Sequence, residues 1–93
     1  MEKVFMGSLI CPNGILGGGI YLDDVAITFK TNKLTVDKKY RNLVLPLDDI
    51  CALTWKWRVF PIATIRMTNG EEYKLIIFNQ GRFNKFYTEA KRP

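Results

Sequence analysis

The 93-residue chain contains no histidine. That removes the side chain most used as a general base near neutral pH, and the commonest metal-ligating nitrogen. Serine occurs once, at Ser8, without the context of a nucleophile elbow. Cys11 and Cys51 have neither CxxC spacing nor histidine company, so they read as two buried, reduced thiols. No apolar run approaches the roughly 18 residues that span a bilayer. The opening "MEKVFMGSLICPNG" starts like a signal peptide. Gly7 and Ser8 interrupt its apolar run, however, and no small-residue cleavage site follows. The expectation is a cytosolic protein.

Other absences narrow the chemistry further. The triplet Gly17–Gly19 is not followed by Lys-Ser/Thr and opens no helical pattern, so it is not a phosphate loop of either common kind. Asp23-Asp24, Asp48-Asp49 and Glu71-Glu72 are adjacent carboxylates. On a strand such neighbours point to opposite faces, so they read as turn residues rather than acid/base pairs. No RNP-type strand or zinc spacing suggests specific nucleic-acid binding. The reading is a non-enzymatic protein with no cofactor and no metal.

What is present is ordinary globular material: 47% hydrophobic residues, 25% charged and a net charge of +5. The length fits one domain over residues 1–93 with one modest core. Strand signals dominate. Val25, Ile27 and Phe29 alternate, as do Leu43, Leu45 and Leu47. "PNGILGGG" (Pro12 to Gly19) reads as a loop or bend feeding a strand at Gly19–Leu22, with Asp23-Asp24 as a tight turn. A polar connection runs from Thr31 to Asn42.

The stretch "TWKWRVFP" poses the main question of the sequence. A period of two puts Cys51, Leu53, Trp55, Trp57 and Val59 on one face, and Thr54, Lys56 and Arg58 on the other. A surface that stacks on a partner interleaves aromatics with cations on the same face. Here the cations point away, so both tryptophans read as core. The next segment, "IATIRMTNGEEYKLIIF", reads as a hairpin around Asn69-Gly70. A three-residue loop with Gly70 in the left-handed conformation pairs Met67 with Glu71 and Arg66 with Glu72. It also places Ala63, Ile65, Met67, Tyr73, Leu75 and Ile77 together on the inner face. From Asn79, a good N-cap, the period becomes helical. Phe83, Phe86, Tyr87 and Ala90 form one stripe of a helix reaching about Lys91.

Three segments in this order resemble the GRAM domain of the pleckstrin-homology superfold. They are "GIYLDDVAITF" (Gly19 to Phe29), "LPLDDI" (Leu45 to Ile50) and "TNGEEYKLIIF" (Thr68 to Phe78), followed by a phenylalanine-rich last helix. Asp23 and Ala26 stand where that family often has threonine and arginine. The resemblance covers about three quarters of the chain. It implies a PH-like, bent antiparallel sandwich of four plus three strands, mainly β, closed by one C-terminal helix. It also implies binding to proteins, lipid headgroups or membranes. The candidate contact is the basic connection carrying Lys30, Lys33, Lys38, Lys39 and Arg41 against Asp37 alone. The expected partner is a protein or an anionic lipid headgroup, which makes the protein peripheral at a membrane in the second case. The alternative is a homo-oligomerising structural module that pairs by a free strand edge, or by the outward face near Ile76 and Phe78.

Overall fold

A computed structural model describes residues 2–11, 14–31, 41–57 and 59–91. Seven strands follow one another: β1 (Lys3–Cys11), β2 (Gly14–Leu22), β3 (Ala26–Lys30), β4 (Asn42–Pro46), β5 (Ile50–Trp57), β6 (Pro61–Met67) and β7 (Glu72–Ile77). A 3-10 turn, Leu47–Asp49, joins β4 to β5, and the helix α1 (Gln80–Lys91) closes the chain. The architecture is mainly β with one terminal helix, as the sequence indicates, and is consistent with a PH-like fold. The first four strands and the last three meet along the β1–β7 pairing. They form one continuous sheet in the order β4-β3-β2-β1-β7-β6-β5, antiparallel at each described pairing. β1 joins the two halves by pairing with both β2 and β7.

The inner face collects the alternate apolar residues. Phe5, Leu9, Ile20, Ile27, Phe29, Leu45, Ile65, Leu75 and Ile77 are all buried, with Phe83 of α1 pressed among them. Phe83 meets Phe5 edge-on at 5.1 Å and Trp55 at 6.0 Å, and stacks on Tyr87 at 6.3 Å. Two polar ties fix the helix. Trp55 Nε1 donates to Asn84 Oδ1 at 3.2 Å, and Lys91 Nζ donates to the carbonyls of Leu47 (3.0 Å) and Ile50 (3.2 Å).

Several expectations need correction. Gly14–Leu22 is strand throughout, paired residue for residue with β1, so the strand begins at Gly14 and not at Gly19. Its glycines are strand residues at a place of close approach. A side chain on Gly7 would meet the Ile76 carbonyl, and one on Gly18 would meet the Lys30 carbonyl and the Phe29 ring. Cys51 is exposed and Cys11 half-buried, not two buried thiols. A bulge between Ile50 and Ala52 absorbs one residue, turning Ile50 inward and Cys51 outward while Leu53 and Trp55 keep the inner face. Val25 is exposed, because it lies in the turn before β3. Asn79 precedes α1 and its carbonyl accepts the Phe83 N–H at 3.1 Å, but its φ of +64° is left-handed, not that of an ordinary N-cap. Arg58 lies outside the described residues.

The β6–β7 hairpin has the register read from the sequence. Arg66 faces Glu72 and Thr64 faces Lys74. Gly70 has φ +91°, and the Met67 N–H donates to the Glu71 carbonyl at 2.8 Å. Asn69 Oδ1 accepts the Glu71 N–H at 2.9 Å, and Arg66 pairs with Glu72 at 3.3 Å.

The β2–β3 turn is held by Asp23. Its Oδ1 accepts the N–H groups of Val25 (2.8 Å) and Ala26 (2.9 Å), which hold the carboxyl below the usual carboxylate range. A lowered folded value means that the stabilisation is complete above about pH 4, where the unfolded carboxyl is ionised. It is lost as pH falls through the folded value. Asp23→Ala is expected to cost about 1 kcal/mol at pH 7, and the difference from wild type should shrink in acid. Urea denaturation at pH 7 and pH 2.5 measures both.

Candidate functional site

The basic connection begins and ends at the mouth of the β3–β4 hairpin. Lys30 pairs with Asn42 across the ladder. The Thr31 N–H then donates to the Arg41 carbonyl at 3.1 Å, bringing the two ends of the connection together. Thr31 Oγ1 reaches back to the Gly17 carbonyl at 3.0 Å and ties the mouth to β2. Lys30 Nζ lies 5.0 Å over the Tyr21 ring, a cation–π contact that leaves the chain end on the outer surface. Arg41 is half-buried, and its Nε–H is buried with no hydrogen-bond partner among the described residues. A buried guanidinium donor left unpaired is costly, and an anion is the natural group to relieve it. Of the five cations read from the sequence, Lys30 and Arg41 thus stand at the two ends of the connection, Lys30 exposed on the outer face and Arg41 half-buried with the inner-face parity of Leu43 and Leu45. Lys33, Lys38 and Lys39 lie outside the described residues.

Several other cations have structural employment. Arg82 lies over the rings of Phe5 (5.0 Å) and Phe86 (5.3 Å), and Lys3 over Phe86 at 4.7 Å. Lys91 holds the 3-10 turn, and Arg66 holds Glu72. A cleft of about 280 Å³ beside α1 has Asp23, Asp24 and Glu89 in its wall. Asp23 there is already committed to the turn, and among the described residues no group of three His, Cys, Asp or Glu side chains could hold a metal ion. Among the same residues no helix is long and apolar enough to cross a membrane.

The β5–β6 turn departs most from expectation. Trp55 is half-buried against Phe83, but Trp57 is 65% exposed and Val59 83% exposed. Trp57 has the parity of the inner face, and so should be core by alternation. α1 covers β5 only as far as Trp55, where Asn84 receives the indole N–H. Trp57, the last residue of β5, projects beyond that cover. Period two assigns a face; it does not say how far along a strand the covering helix reaches. Phe60 is 42% exposed and Phe78 46%, and their rings meet edge-on at 5.9 Å. Of the outward pair anticipated near the end of β7, Ile76 is buried and Phe78 is the exposed member.

No protein-family model matches the chain, and a search of curated proteins found no match. Twenty-two solved chains do match in structure. One is the C-terminal domain of an unknown protein from Leishmania infantum, with a TM-score of 0.75 at 9% identity. The similarity covers 97% of this chain and 83% of that one. At such identity the likeness is one of fold.

Proposed function

We propose that the domain is a non-enzymatic binding module of PH/GRAM type whose basic β3–β4 end meets an anionic surface, on a membrane or on an acidic protein. The supporting observation is the hairpin mouth, where the backbone brings the two ends of the basic connection together and the Arg41 Nε–H is buried with no hydrogen-bond partner among the described residues. The sequence adds Lys33, Lys38 and Lys39 to the same connection, against Asp37. Each cation near an anionic membrane contributes about 1 kcal/mol. Five of them less one repulsion amount to roughly 4 kcal/mol, a millimolar affinity for a single copy. Such binding is salt-sensitive and gains from a second anchor.

The expected result is co-sedimentation with anionic vesicles at low salt that disappears near physiological salt. Lys38→Glu with Lys39→Glu should abolish it while the thermal transition stays in place. Failure of the wild type to bind either anionic vesicles or an acidic polypeptide at low salt would reject the reading.

The alternative is a homo-oligomerising structural module, favoured by β5 lying at the edge of the sheet. A free edge is a template for another strand. The exposed Lys56 and the bulge near Ile50 are devices that oppose such pairing. Light scattering distinguishes a dimer from a monomer.

A further inference from the structure

An antiparallel sheet with one face on the core and the other in water carries polar side chains outward. β1 and β2 depart from this rule. Phe5, Leu9, Leu16 and Ile20 fill their inner face. Their outward residues pair across the ribbon as Val4 with Tyr21, Met6 with Gly19, Ser8 with Gly17, and Ile10 with Ile15. At the chain's charged share of 25%, about two of these eight would be charged, and none is. Met6 is 78% exposed, Ile15 60% and Val4 52%. The nearest cations, Lys30 on β3 and Lys74 on β7, stand on either side of the ribbon.

The relief of this face is uneven. The Tyr21 ring lies over Gly19, 3.0 Å from where a Cβ would stand, so that gap is filled from within. A Cβ on Gly17 would meet nothing within 4 Å, so the surface beside Ser8 is hollow. Met6, two residues along β1 from Ser8, projects as a knob next to this hollow.

We infer that the outer face of the β1–β2 ribbon is the contact through which two copies of this chain form a reversible dimer. A twofold axis across the ribbon, midway between the Met6 and Ser8 rows, reverses the order of the rows. It sets Met6 of each copy over the Gly17 hollow of the other, Val4 against Ile10, and Tyr21 against Ile15. A face that matches itself in this way suits an isologous contact. Phe78, bonded through its N–H to the Met6 carbonyl, extends the patch beyond β1. Val4, Met6, Ile15 and Phe78 together expose about 400 Å² of apolar surface per copy, enough to mark an interaction site. Apolar atoms make up about 60% of an interface, so two copies would bury about 1,300 Å² in all, at the lower end of specific contacts. The dimer should therefore dissociate on dilution. The inference is independent of the anionic surface at the β3–β4 end, and it places self-association on a sheet face, not on the β5 edge.

Sedimentation equilibrium of the whole chain, from micromolar to millimolar concentration, tests it. The wild type should approach the mass of two chains, and raising the salt to about 0.5 M should leave the dimer in place, because the contact is apolar. Met6→Glu brings two carboxylates into that contact and should raise the dissociation constant about ten-fold or more. Met6 is exposed, so folding should persist, and the thermal transition of dilute samples checks it. Met6→Ser removes the knob without adding charge and should weaken the dimer in the same direction, which keeps the test decisive if the glutamate disturbs the fold. Lys56→Glu, on the outer face of β5, should change nothing. A wild type that stays monomeric to millimolar concentration, or a dimer that both Met6 variants retain, would overturn the inference. So would a dimer dissolved by salt, which would be electrostatic, or one dissolved by Lys56→Glu, which would lie at the β5 edge. Met6→Ser keeps every cation, so its vesicle binding at low salt reads the anionic surface separately from the dimer.

Discussion

Phe83→Ala should lower the stability of the domain by about 3–5 kcal/mol, the usual cost of emptying a phenylalanine site in a packed core. Phe83 is fully buried, and Phe5, Trp55 and Tyr87 all contact its ring. The cavity would open where α1 meets the two halves of the sheet, so the helix would lose the residue that anchors it. A domain of this size has about 5–15 kcal/mol in total, and the loss is a large part of it. Chemical denaturation of wild type and variant gives the value. Trp55→Ala should cost less, about 2–3 kcal/mol, because its ring is only half-buried. The double variant should fall short of the sum by about 1 kcal/mol, since the two rings share an edge-on contact. A Phe83→Ala loss below about 1 kcal/mol would mean that α1 docks without this side chain.

The parts legible in the sequence were those set by local rules. Asn69-Gly70 specifies a left-handed residue at the end of a three-residue loop, and the alternation on both sides then admits a single register. The stripe of Phe83, Phe86, Tyr87 and Ala90 likewise defines the docking face of the last helix. What was not legible depends on partners remote in the chain. The bulge that turns Cys51 outward is invisible to a strict period of two. Trp57 emerges because α1 stops covering β5 at Trp55, and no residue near Trp57 encodes the reach of a helix more than 20 positions later. The basic connection was visible as composition, but that its two ends meet at one hairpin mouth required the β3–β4 pairing. Gly17–Gly19 is the sharpest case. Glycine in a strand reads equally as flexibility or as room for a neighbour, and only the neighbour decides.

That neighbour gives adjacent glycines opposite responses to one methyl group. A Cβ on Gly17 meets nothing within 4 Å, and Gly17 is not among the glycines of positive φ. Gly17→Ala should therefore be neutral or stabilising by up to about 1 kcal/mol, by restricting the unfolded chain. Its bond to Thr31 uses the backbone carbonyl and survives the change. Gly18→Ala should cost about 3 kcal/mol. Its Cβ would overlap the Lys30 carbonyl and press on Phe29 Cζ at 2.9 Å, and neither group can retreat freely. The carbonyl belongs to a sheet strand, and the Phe29 ring is buried in the core. To admit the methyl group, the end of β3 must move away from β2, and the hairpin mouth between Lys30 and Arg41 moves with it. Gly18→Ala should consequently lower anionic-vesicle binding measured at a temperature where the variant is still folded, whereas Gly17→Ala should leave binding unchanged. Equal stabilities for the two variants in urea would mean that β2 and β3 do not approach each other this closely. A loss of stability in Gly18→Ala with binding retained would separate the curl of the sheet from the contact surface.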